Sequence, residues 1–99
     1  MPTGSRIWFI TGCSSGFGLY LARTAMAHGH RVIASSRDPS RTPGLVEEVT
    51  SKGGLWIPFD VTSKSLRSEI KEVEEIHGRI DVVVNNAGFS VMGAFEDIK

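Results

Sequence analysis

The chain is poor in the residues that build anything other than a plain hydrophobic core. Its 99 residues include one cysteine, Cys13. That excludes an internal disulfide framework and a multi-cysteine zinc site, and it agrees with a reducing compartment. Neither sign of charge is in excess: eleven Lys and Arg balance eleven Asp and Glu. Electrostatics therefore gives no ground for a nucleic-acid or anionic-lipid partner. Long apolar runs are missing too. The stretch Ile7 to Ile10 follows a polar start and is too short for a signal-peptide core or a membrane span. The reading expected from these absences is a cytoplasmic protein with neither a membrane nor a nucleic-acid partner. Repeats, low-complexity tracts and linkers are also lacking, so residues 1–99 read as a single domain.

The composition that remains is that of a globular protein, with 40% apolar and 22% charged residues. A domain of this size buries only about two thirds of its unfolded surface, which leaves stability marginal. Ile7-Trp8-Phe9-Ile10 is a continuous apolar run, as in a strand buried on both faces of a parallel sheet. From Phe17 to His28 the residues Gly18, Leu21, Ala22, Ala25 and Met26 recur with helical spacing, and Gly29 ends the helix. Arg31 to Ser36 reads as a second strand, Arg37 to Gly44 as a turn with two prolines, and Leu45 to Ser51 as a short helix.

Leu55 to Phe59 is the third strand, and Pro58 assigns it to the edge of the sheet. Thr62 is the expected N-cap of a helix whose apolar face is Leu66, Ile70, Val73 and Ile76, with Gly78 as its stop. Ile80 to Val84 forms strand four, and Phe95 to Lys99 opens a further helix. Strands alternating with helices imply right-handed crossovers. The expected fold is α/β, a partial Rossmann (doubly wound) arrangement with a parallel sheet of about four strands in the order 3-2-1-4. In that arrangement strand four presents an open apolar edge, so the isolated chain is expected to aggregate, oligomerise or stay loosely folded.

Two motifs follow strands directly. Thr11-Gly12-Cys13-Ser14-Ser15-Gly16-Phe17-Gly18 follows the first strand, and Asn85-Asn86-Ala87-Gly88 follows the fourth. After strand one the chain must turn sharply, let an anion approach the backbone, and start a helix whose amides and dipole face that anion. The spacing G-x-x-x-G-x-G departs from the G-x-G-x-x-G dinucleotide fingerprint. At the end of strand two, where an acid would bind the ribose 2′-hydroxyl of NAD, stands Ser36, followed at once by Arg37. A guanidinium matches a 2′-phosphate, so NADP is favoured over NAD. The competing reading is a solvated Arg37 paired locally with Asp38. Ser14 and Ser15 offer hydroxyls to the same phosphate or ribose.

These motifs resemble those of the short-chain dehydrogenase/reductase family, whose pattern T-G-x-x-x-G-x-G the first matches and whose Asn-Asn-Ala-Gly the second repeats. The resemblance implies that Thr11, Gly12, Ser14, Ser15, Gly16, Phe17 and Gly18 bind the cofactor. It also implies that Asp60-Val61 meets the adenine, Asp60 contacting it, and that Asn86, Ala87 and Gly88 border the adenosine side. It further implies NADP(H)-dependent reduction of a small carbonyl substrate, or oxidation of the alcohol, and it allows a homo-oligomer. The family's Tyr-x-x-x-Lys pair has no counterpart: Tyr20 has no lysine four residues on and reads as packing. On this reading no catalytic residue lies in the chain, which is the truncated N-terminal, NAD(P)-binding portion of a longer oxidoreductase and inactive alone.

Two alternatives belong to other classes. One is a noncatalytic nucleotide-binding or interaction module complete at Lys99. The other is a serine hydrolase, because Gly12-Cys13-Ser14-Ser15-Gly16 also satisfies G-x-S-x-G with Ser14 as nucleophile. Against the hydrolase, the motif follows the first strand and no convincing acid and histidine come later, His77 lying near the end of a helix. His28 and His30 flank a helix end, where the dipole explains them. Cys13 reads as a small buried filler of the turn rather than a redox thiol.

Overall fold

The computed structural model describes residues 6–14, 16–59, 66–86 and 90–94, the last five and residue 66 by their backbone only. The strands are β1 (Ile7–Ile10), β2 (Arg31–Ser36), β3 (Leu55–Pro58), β4 (Val82–Asn85) and β5 (Ser90–Ala94). The helices are α1 (Gly16–Ala27), α2 (Pro43–Ser51) and α3 (Leu66–His77), with one 3₁₀ turn at Pro39–Arg41. They build one sheet in the order β3-β2-β1-β4-β5. The first four strands are parallel, as expected, in register Phe9↔Ile33, Phe9↔Val83 and Ala34↔Trp56.

Side-chain alternation divides the core into two layers, because successive residues of a strand point to opposite faces. On one face Ile10, Val32, Ala34 and Val84 meet Ala22 and Ala25 of α1 and Val49 of α2. On the other, Phe9, Ile33 and Val83 meet Ile70 and Val73 of α3, with Phe59 and Ile80 closing the layer. Each fully buried Ile or Phe here contributes about 2 kcal/mol by removal from water. Small residues on α1 let that helix lie close to the sheet, while Arg23 Nε and Nη2 donate to Glu48 at 2.7 and 2.9 Å and tie α1 to α2.

The chain thus winds outward from β1 through β2 to β3, then returns through α3 on the opposite face and lays β4 on the other side of β1. The direction of winding reverses between β1 and β4. In open α/β sheets a ligand binds outside the carboxyl ends of the strands at such a reversal, between the connections that leave in opposite directions.

Three expectations are corrected. The edge of β4 is not open, because β5 returns antiparallel along it with a register shift at Val82/Val83. A hairpin return satisfies those backbone groups without a crossover helix. Ile76 does not join the buried face of α3 and is 74% exposed. Two successive steps of three lag behind the 3.6-residue turn, so Ile76 has rotated past the stripe set by Ile70 and Val73. Tyr20 is not packed inside: it is 62% exposed and its ring lies stacked against Phe17. Boundaries shift modestly, with β4 running Val82–Asn85 and α2 starting at Pro43. The expected cap Thr62 and the helix expected at Phe95 to Lys99 lie outside the described residues. Within them, no helix is long and apolar enough to cross a membrane.

Candidate nucleotide-binding site

The glycine motif starts where β1 ends. The Thr11 amide donates to Val84 O at 3.0 Å, which carries the β1–β4 ladder one step past the last residue of β1. Its hydroxyl donates to Asn85 Oδ1 at 3.2 Å. The next amide but one, Cys13, donates to Ser35 O at 2.9 Å, so the loop is sewn to β2 as well as to β4. Gly12 sits between these stitches at φ +66°, a left-handed backbone that glycine adopts without steric cost.

The Cys13 side chain turns inward, fully buried, with Sγ donating to Ile10 O at 3.2 Å. Burial pushes this thiol up to about 11, against a smaller opposing effect of a backbone hydrogen bond from Ser35. A buried, protonated thiol is a poor nucleophile. The packing reading of Cys13 therefore holds.

Gly16 opens α1 at φ +62°, and a Cβ built on it would meet nothing within 4 Å. Open space in front of a helix N-terminus is what a phosphate group needs to reach the first-turn amides. Gly18 is glycine for the opposite reason. A Cβ there would lie 2.5 Å from Gly12 O and 2.9 Å from Asn86 Nδ2. The same Nδ2 donates to Gly12 O at 3.1 Å. Gly12, Gly18 and Asn86 thus interlock: the amide of Asn86 holds the loop carbonyl down onto a helix that has no side chain in the way. Phe17, between the two helical glycines, is 57% exposed, and Ser14 is exposed.

The second half of the site lies at the end of β2. Ser36 is 6% exposed and its Oγ accepts a hydrogen bond from Trp56 Nε1 at 2.9 Å. Arg37 is exposed and has no hydrogen bond or ion pair among the described residues. Asp38, its candidate local partner, is committed elsewhere. Its Oδ1 accepts from Ser40 N at 3.1 Å and from Ser40 Oγ at 2.5 Å, capping the 3₁₀ turn. The Ser40 hydroxyl, above all, holds the Asp38 carboxyl below the usual carboxylate range.

The structure therefore brings Thr11, Gly12, Gly16, Gly18 and Asn86 together at the carboxyl ends of β1 and β4 and leaves the Arg37 head without a partner among the described residues at the end of β2. Ser15, Asp60, Val61, Ala87 and Gly88 lie outside the described residues. The sequence placed Asn85 in the second motif but gave it no separate role, and here its Oδ1 accepts the Thr11 hydroxyl; Trp56, which reaches Ser36, was missed. The signal for Asn85 was present in its place at the last position of β4, opposite the start of the loop. Nothing in the sequence points from Trp56 to Ser36, because that contact joins neighbouring strands through residues twenty apart in the chain.

The open side of Gly16 at the start of α1 and the left-handed turn at Gly12 are the features that the phosphates of a nicotinamide dinucleotide require.

Comparison with known proteins agrees with that geometry. Residues 6–99 match the family model of the short chain dehydrogenases. An oxidoreductase of Botryotinia fuckeliana is 41% identical over 95 residues, which cover 95% of this chain and 35% of that protein. A probable NADP-dependent dehydrogenase of Dichelobacter nodosus is 38% identical over 86 residues, 86% of this chain and 80% of that protein. Among solved structures, a short-chain dehydrogenase of Streptomyces avermitilis superposes with a TM-score of 0.68 at 33% identity, covering 84% of this chain and 30% of that one. The L-sorbose reductase of Gluconobacter frateurii, solved with NADPH and L-sorbose, superposes with a TM-score of 0.69 at 26% identity, covering 83% and 33%. The chain spans about a third of the length of the first of these relatives. Its fold, its glycine loop and its match over nearly every residue make it a member of the short chain dehydrogenase family.

Proposed function

We propose that this chain is the NADP(H)-binding portion of an oxidoreductase that interconverts a small carbonyl compound and its alcohol. The observation that carries the reading is the interlock of Gly12, Gly18 and Asn86 beside the open Gly16, at the point where the sheet reverses its winding. The cofactor, when bound, supplies the hydride chemistry. The residues of this chain bind and orient it. The first-turn amides of α1 face the pyrophosphate, Ser14 and Ser15 offer hydroxyls, and Asp60, Val61, Ala87 and Gly88 border the adenosine.

The preference for NADP(H) rests on Arg37. Its guanidinium is left unpaired because Asp38 is held by Ser40, so it is available to a 2′-phosphate in a bidentate, charge-assisted contact. The relatives that name or contain NADP support this choice. The working compartment we assign is the cytoplasm.

Titration calorimetry of the chain with NADPH and NADH tests the proposal. Arg37→Glu should weaken NADPH binding by at least tenfold and leave NADH within about twofold, because a charge-assisted contact is worth about 1.5–3 kcal/mol. Equal losses for both cofactors, or no binding of either by the native chain, would reject it.

A further inference from the structure

The end of β2 holds a second polar feature besides Arg37. Ser36 lies on the α1/α2 face of the sheet, with Ala34 two residues before it, and Trp56 stands on the same face of the neighbouring strand. The Trp56 indole donates to Ser36 Oγ at 2.9 Å. An indole N–H is a donor only, while a serine hydroxyl carries one proton and two lone pairs. With one lone pair taken by Trp56, the Ser36 proton must point elsewhere. Among the described residues it finds no acceptor, although Ser36 is more than nine-tenths buried. A buried O–H left without an acceptor is costly, by about 1–3 kcal/mol.

We propose that Trp56 is a specificity-positioning residue: it locks the Ser36 hydroxyl as a donor aimed at the adenosine 2′-substituent, so that the site selects a phosphate there. This rests on the NADP(H) reading above. A 2′-phosphate is rich in acceptors and meets the Ser36 proton and the Arg37 guanidinium together. A 2′-hydroxyl offers the Ser36 proton only a neutral oxygen and gives Arg37 no anion to pair with, whereas hydrogen bonds to an ionised phosphate are about twice as strong. Trp56 thus shapes the preference without touching the cofactor.

The test is calorimetric binding of NADPH, NADH and 2′,5′-ADP to the native chain and to Trp56→Phe, Ser36→Ala and the double variant, with Arg37→Glu alongside. Trp56→Phe keeps the ring and removes the N–H. The expected result is a loss of about tenfold for NADPH and 2′,5′-ADP with NADH unchanged. Ser36→Ala should show the same selective loss, and the double variant should lose no more than Ser36→Ala alone, because Trp56 acts through that hydroxyl.

A Trp56→Phe chain with the native ratio of NADPH to NADH affinity would overturn the proposal, and equal losses for both would reduce Trp56 to a packing residue. If Arg37→Glu still destroys the preference in either case, the NADP(H) reading stands and only the role of Trp56 falls. If the native chain shows no preference for NADPH, both fall.

Discussion

The β1–β4 strand pair is tied at both ends, and the ties differ in kind. At the amino end the tie is ionic and reciprocal. The Ile7 amide donates to Asp81 Oδ2 at 2.9 Å, the Asp81 amide donates to Ile7 O at 2.9 Å, and Arg79 Nε donates to both carboxylate oxygens. Burial by itself would raise the Asp81 carboxyl, but the Ile7 amide and the cations of Arg79 and Arg6 together hold it below its ordinary value. At the carboxyl end neutral groups make the ties: the Thr11 hydroxyl donates to Asn85 Oδ1 and Asn86 Nδ2 donates to Gly12 O.

The difference follows from what each end must do. The lower end only has to keep two strands in register, so a nearly buried charge with its partners suits it. On the proposed function, the upper end presents amide dipoles to an anionic ligand. A fixed carboxylate there would repel that ligand, whereas amides hold the loop and leave the field to the helix.

Breaking one end at a time sharpens the contrast. The largest effect is expected for Gly18→Ala at the upper end. Its Cβ would stand 2.5 Å from the Gly12 carbonyl, a backbone contact that cannot yield as a flexible side chain would. A loss of about 3 kcal/mol should appear in urea denaturation, together with loss of binding of both NADPH and NADH. At the lower end, Asp81→Ala strips the Ile7 amide of its acceptor and should cost about 2 kcal/mol. Its ratio of NADPH to NADH affinity, measured where the variant is folded, should remain native.

Asn86→Ala releases the Gly12 carbonyl and should cost only about 1 kcal/mol. It should nonetheless weaken both cofactors together, whereas Asp81→Ala weakens neither. Should the two variants behave alike in binding, the division of labour between the ends would fail.

The smallest effect concerns pH. Asp81 has its carboxyl lowered in the folded chain, so its contribution is complete above the unfolded value of about 3.9 and is lost as pH falls through the lower, folded value. Melting curves from pH 6 to pH 3 should therefore show a drop that Asp81→Asn lacks. A drop of the same size in both would assign the acid sensitivity to other carboxylates.

Much of this architecture was legible in the amino-acid order. The apolar runs at Ile7–Ile10 and Val32–Ala34 and the glycine stops at Gly29 and Gly78 carry local information, and they place β1, β2, α1 and the end of α3 within a residue or two. Helical spacing misled at Ile76, because a three-residue step drifts around the helix and only the packed sheet shows where the buried stripe ends. The antiparallel β5 escaped notice as well, since the segment from Ser90 to Ala94 is short and contains Gly93, with little alternation to mark a strand. The same division runs through the site. Gly12, Gly16 and Gly18 were visible as a motif, yet their three roles separate only in space: a left-handed turn, an open approach and a close contact.

By itself the amino-acid order determined the strand–helix alternation and the place of the glycine loop, because periodicity and glycine stereochemistry act within a few residues along the chain. Only the tertiary structure decided that Asn86 locks Gly12, that Asp38 turns to Ser40 and frees Arg37, and that Trp56 spends its proton on Ser36. A hydrogen bond depends on distance and direction between atoms. Nothing in the order of residues fixes which of two nearby partners, or which pair far apart in sequence, will meet that geometry.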